Sequence, residues 1–252
     1  NAGSTVEIDA NSVHGSNLTI GNIGEIADID ANSLHGSNLT IQNQGLAGDV
    51  DVKAVYGSNA DVINSGEMVE LDGIAGKGSS LNISNGGTLH DTYAAAKYGS
   101  EVNMVNAGTA VETDLYIDNG SKGYFGNSGL AHDLDMTLKG GSEGTIVNQG
   151  TIADIGAVNK DGSTLDLINF NDIAVLKAKT IAAETNIVNM DYIDKACLYD
   201  AADLTNVLNK GHFNDLTLTT GHHGEFNVNN VEGSIVNLDA FITKSSLLNL
   251  IN

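Results

Sequence analysis

Apolar residues recur two apart along most of this chain: Leu18 and Ile20, Leu39 and Ile41, Leu81 and Ile83, Leu165 and Leu167. That parity puts both members of a pair on one face of an extended strand and the residue between them on the other. A second run follows each pair after an Asn-x-Gly turn, with Ile26 and Ile29 in one unit and Met68 and Leu71 in another. Two or three short, half-buried strands are therefore expected per unit. Helices do not fit, because Gly and β-branched residues fall at fixed places inside every unit and no capping pattern frames a segment of ten or more residues.

The units repeat. A Gly-Ser pair recurs every 21 residues, at Gly15, Gly36, Gly57, Gly78, Gly99, Gly120, Gly141 and Gly162. A second column runs to the last residue: Asn1, Asn22, Asn43, Asn64, Asn85, Asn106, Asn127, Asn148, Asn169, Asn189, Asn209, Asn230 and Asn252, in steps of 21 except for two of 20 and a final 22. Strands that return in phase at a fixed period stack coil upon coil, with parallel neighbours about 4.8 Å apart. The expected fold is all-β: a single-stranded parallel β-helix (β-solenoid) of about twelve coils of ~21 residues, a rod roughly 58 Å long. It is expected to form one domain over residues 1–252, regular over 1–181 and degenerate over 182–252, where the Gly-Ser signal fades.

The Asn column has a physical reading. Asn22 continues the inward parity of Leu18 and Ile20, so Asn22, Asn43, Asn64, Asn85, Asn106, Asn127, Asn148, Asn169, Asn189, Asn209 and Asn230 should line one corner as an internal ladder, each amide bonding the coils on either side. Gly24 and its equivalents are expected to supply a positive φ beside it.

Composition refines the picture. Hydrophobic residues make up 41% of the chain but aromatics only 5%, with no Trp, so the core is expected to be thin and layered from Ile, Leu, Val and Ala. With 30 Gly and no Pro, the turns should be uniform and built from Gly, Asn and Asp. A formal charge of −21, with Lys as the only strong base, repels phosphate backbones and anionic lipid. Neither nucleic acid nor membrane insertion is expected, since no apolar run approaches the length of a span. The lone Cys197 excludes an internal disulfide. A chain that starts at Asn1 without Met is expected to be a processed form or an excised piece.

The strongest chemical feature is a double file of carboxylates. One holds Glu7, Asp28, Asp49, Glu70, Asp91, Glu112, Asp133 and Asp154; two residues on runs Asp9, Asp30, Asp51, Asp72, Asp114 and Asp135. Between them lie Ile8, Ile29, Val50, Leu71, Leu134 and Ile155, which belong to the core, so the acids should face outward. Like charges about 5 Å apart in water cost roughly 0.8 kcal/mol per neighbour before salt screening. One reason to bear that cost is Ca²⁺, which takes oxygen ligands; Asp28, Asp30, Asp49, Asp51, Glu70, Asp72, Glu112, Asp114, Asp133 and Asp135 are the candidate ligands, and no other cofactor is expected. The other is a solvated face that keeps a flat sheet from aggregating.

Other candidates are weaker. His14 and His35 share a column continued by Tyr56, Lys77 and Tyr98, which reads as an exposed turn. His222 and His223 offer at most a transition-metal pair. Gly73 to Ser80 lacks the spacing of a phosphate loop. Asp191, Asp194 and Lys195 form an irregular cluster, with Lys177 and Lys195 interrupting the acidic files.

The stretches LTIGNIGEI (Leu18 to Ile26) and GTIVNQGTI (Gly144 to Ile152) resemble the haemagglutinin-type repeats and autotransporter passenger domains of bacterial surface proteins. That resemblance covers nearly the whole chain. It implies a right-handed β-helix, a secreted or cell-surface location, and a role as an adhesin or envelope filament. Its coils are slightly longer and its outer face more acidic than the common pattern, and no binding residue is carried over. The function expected is thus an extracellular structural or adhesive solenoid without enzymatic activity. Its partners would be a cation, a glycan or host-surface receptor, or a neighbouring filament. The apolar end SSLLNLIN and the shared column of Asn1 and Asn252 suggest either self-association end to end or further coils of a longer chain. The competing expectation is a carbohydrate-active β-helix enzyme of the polysaccharide lyase or hydrolase kind, which gathers carboxylates in a groove between long loops.

Overall fold

A computed structural model describes residues 1–252. Long strands, from β1 (Ser4–Val13) to β23 (Ser234–Phe241), alternate with short ones, from β2 (Asn17–Asn22) to β24 (Leu247–Ile251). Odd-numbered strands form one parallel 12-stranded sheet in strict order, and even-numbered strands form the other. The chain is therefore a parallel β-solenoid of twelve coils, two strands to a coil. Residues one repeat apart pair throughout, as in Leu18↔Leu39, Ile29↔Val50 and Asn106↔Asn127.

One corner is made by the Asn ladder. The Nδ2 of each Asn donates to the Oδ1 of the next, at 2.8 Å for Asn22 to Asn43, 2.9 Å for Asn106 to Asn127 and 2.7 Å for Asn209 to Asn230. The same nitrogen donates to a backbone carbonyl further along, as from Asn22 to Leu46 (3.0 Å) and from Asn127 to Thr151 (3.1 Å). The chain of amides extends without a break from Asn1 to Asn252. From Asn22 to Asn209 the side chains are buried, so their polar groups are held by protein in place of water.

The glycine beside this corner works differently from the sequence expectation. Gly24 and its equivalents do not adopt positive φ. They are small because coils approach closely there: a Cβ on Gly66 would lie 2.1 Å from the Gly45 carbonyl oxygen. Positive φ falls at the opposite corner, on the Gly of each Gly-Ser pair and on the residue before it, as at Tyr56 (φ 60) and Gly57 (φ 72). In the two 20-residue coils a single left-handed residue, Ala182 or Ala202, replaces that pair.

The serine of the pair makes a second buried ladder. Ser58 Oγ donates to the Val55 carbonyl at 2.8 Å, while the Ser58 amide donates to Ser79 Oγ at 3.1 Å. Ser100 repeats both bonds, with Lys97 and Ser121. The long strands also bend: pairing passes over Ala27 in β3 (Glu25–Leu34), so Ala27 and Asp28 both face out between inward Ile26 and Ile29. That outward pair turns a corner inside the strand.

The core runs as one cluster from Ile20 to Val228, and volume is matched within each coil. Where Ile117 and Leu138 replace the Ala54, Ala75 and Ala96 of their column, the facing residues shrink to Gly123 and Gly144, leaving no room for a Cβ.

Asn127→Ala removes the side-chain acceptor of Asn106 Nδ2 and the side-chain donor to Asn148 Oδ1, leaving each with backbone partners only, and opens a void, which should cost about 2–4 kcal/mol. Asn103→Ala, on the outer face, should cost about 0.5 kcal/mol. Urea denaturation distinguishes them; equal midpoints would contradict a structural role for the buried column.

Candidate functional site: the acidic face

Strand register places the acids as expected. In β3, β5 (Leu46–Val55) and β7 (Glu67–Gly76), Asp28 pairs with Asp49 and Asp49 with Glu70, while Asp30 pairs with Asp51 and Asp51 with Asp72. Ile29, Val50 and Leu71 between them are fully buried, so strand alternation alone projects the carboxylates outward. The first file continues through Asp91, Glu112 and Asp133 to Asp154. In the second, Tyr93 replaces an acid, Asp114 and Asp135 follow, and Gly156 and Lys177 end it. Asp30, Asp51 and Asp72 border a shallow groove with Lys53, Ile74 and Tyr93.

Crowding changes the electrostatics. Partial burial, followed by the charges of Asp49, Asp30 and Asp72, pushes the Asp51 carboxyl up to about 6. The same combination raises Asp28, Asp72, Asp114 and Asp135 above the ordinary carboxylate range. At Glu70 the Asp49 charge is the larger cause and burial the second. Neutralisation by lysine is sparse: Lys177 Nζ meets Asp154 Oδ2 at 2.8 Å, and the other lysine pairs, Lys122–Glu143 and Lys139–Asp118, lie outside both files. The ten candidate calcium ligands thus line up along the rod. No three His, Cys, Asp or Glu side chains gather around a common point that could hold a metal ion.

The remaining candidates separate. His14 stacks on His35 at 5.1 Å, His35 on Tyr56 at 4.9 Å, and Lys77 caps Tyr56 at 4.3 Å from the ring centre while donating to its hydroxyl at 2.9 Å. His35 is stacked on both faces and Tyr56 is covered by His35 and Lys77, while His14 is covered on the one face it turns to His35. His222 and His223 are exposed and tilted 44° apart. Asp194 accepts from Tyr192 Oη and Asn214 Nδ2, both at 3.0 Å. Asp191 is exposed at the corner after Asn189, and Lys195 replaces an acid of the first file.

An additional surface feature lies on the short-strand sheet. Asn103 donates to Asn82 and Asn82 to Asp61. Further along, Asn249, Asn227, Asn206 and Asn186 donate in turn, ending on Asp166, at 2.7–3.2 Å. Its signal in the sequence is the same repeat spacing on outward parity. No protein-family model matches the chain, and no curated protein or solved structure is significantly similar to it.

A carboxyl whose folded pKa is raised binds its proton more tightly in the native state, so it favours the fold below that pKa and opposes it above. Thermal melting should therefore rise by roughly 5 °C from about pH 7.5 to about pH 5, and added salt should recover part of that gain at the higher pH by screening the files. A melting temperature that falls on acidification would contradict this electrostatic picture.

Proposed function

We propose that the chain is an extracellular structural or adhesive rod of a bacterial surface, acting through its long acidic face. The observation that supports this most is the pair of carboxylate files, held in register over many coils with few neutralising cations. A rigid array of this kind favours multivalent contact with a cationic surface, or with calcium ions shared between neighbouring rods, because each weak contact raises the effective concentration of the next. The likeness of the coil sequences to haemagglutinin-type and autotransporter repeats supports the same class. Further coils or a second copy are the partners that stacked parallel strands of this kind accept along the rod axis.

A carbohydrate-active enzyme fits less well. The acids form a ladder instead of a unique pair across a cleft. We therefore assign no catalytic residue.

The test is retention on immobilised polylysine. The wild type should bind with strong salt dependence, and the combined variant Asp28→Asn, Asp49→Asn, Glu70→Gln, Asp91→Asn should bind at least about tenfold more weakly. Equal retention of a folded variant would overturn the reading.

A further inference from the structure

The interior changes character towards the last coils. At the inward column near the end of each long strand, Ala54, Ala75, Ala96, Ile117 and Leu138 give way to Asn159, Thr180, Asp200 and Thr220, each in register with the next. Thr185 and Thr205 add hydroxyls from the short strands, and all six polar side chains are buried. Most find partners. Asn159 Nδ2 donates to Thr185 Oγ1 at 3.1 Å, Thr180 donates to Thr185 at 2.8 Å, Thr205 donates to Thr180 at 3.2 Å, and Thr220 Oγ1 accepts the Thr243 amide at 2.8 Å.

Asp200 does not. It is 0% exposed, and neither carboxylate oxygen has a well-formed hydrogen bond. Thr205, close at hand, spends its proton on Thr180. A negative charge enclosed this way is cut off from bulk solvent and only partly offset by the Thr205 hydroxyl and the amides of Asp203 and Glu225 near it, whereas the neutral acid loses far less.

We propose that Asp200 is a proton-operated joint: with its carboxyl protonated, the coils from about residue 190 onward pack firmly on the rod, and ionisation at neutral pH loosens them. Burial is the leading cause that pushes its pKa up to about 6; the Thr205 hydroxyl and the amides of Asp203 and Glu225 pull the other way, and the Asp203 charge adds to the rise. The neighbouring long strands present Thr180 and Thr220 to it, and the short strand β20 (Leu204–Asn209) presents Thr205, none of them charged. The remaining ionisable groups nearby are on outward parity or in turns: Glu184, Glu225, His222 and His223. With a folded pKa above the unfolded one, the stabilising proton is fully in place below the ordinary carboxylate range and is lost as pH rises through about 6.

Hydrogen exchange on the full chain at about pH 5 and about pH 7.5 tests this, with residues 46–169 as the internal reference for intrinsic rates. Relative to that reference, residues 190–230 should lose protection at least about tenfold at the higher pH. Asp200→Asn, which copies the neutral acid, should keep acid-like protection at both. About 0.5 M NaCl, which screens the exposed files, should leave the wild-type difference in place. The proposal is overturned if the wild type shows no local change, if Asp200→Asn retains it, or if salt removes it. Should that variant not fold, carboxyl ¹³C titration of the wild type decides: a midpoint near 6 supports the joint, and one at or below the ordinary carboxylate range overturns it.

Discussion

Each coil of this protein buries a side-chain amide, and that amide is satisfied only if another lies one strand spacing away. Nδ2 has two protons to place; one goes to the next Asn and the other to a backbone carbonyl beyond the corner. The carbonyl two residues on in the same coil shares the nitrogen at 3.1 Å in Asn43, but the side-chain acceptor comes only from the next coil, so every coil depends on its neighbours for register. Changes in coil length leave the ladder contact itself intact. The 20-residue coils drop their residue at the left-handed corner, and the bonds from Asn169 to Asn189 and Asn189 to Asn209 both stay at 2.9 Å. The last, 22-residue coil takes up its extra residue at the ladder corner, between Asn230 and Ser234, and the bond from Asn230 to Asn252 still forms.

The architecture was legible because the ladder writes one residue type into one column, and inward parity gave that column a direction. Features made by contacts between coils were harder to read. Gly24 looked like a turn residue, since Asn-x-Gly commonly marks one; the true constraint is the carbonyl of the coil below, which no local pattern displays. Ser58 and its equivalents served in the sequence only to mark the repeat, although their hydroxyls also join coils. The bend at Ala27 was visible only as a three-residue step between Ile26 and Ile29. The acidic files were fully legible as positions, because alternation alone decides which side they face; their raised pKa values depend on distances between coils. Asp200 was missed because a single acid in a degenerate coil carries no periodic signal.

Carboxylates occur here in two physical situations. Those of the outer files repel one another across solvent, a cost that salt and protons both relieve. Asp200 is isolated in the core, where salt cannot reach it and only a proton or a moved backbone can help. The same mild acidification therefore acts on the outside and the inside of the rod through different groups. A solenoid with nearest-neighbour stability can respond locally, since loosening a terminal set of coils leaves the remaining stack intact.

Everything rests on the continuous column of buried amides, and side-chain amide exchange measures it directly. NMR of the Asn NH₂ protons should find Asn43, Asn64, Asn85, Asn106, Asn127 and Asn148 strongly protected, with slow exchange, against rapid exchange at exposed Asn17. Ladder amides exchanging as fast as Asn17 in the folded protein would contradict the account.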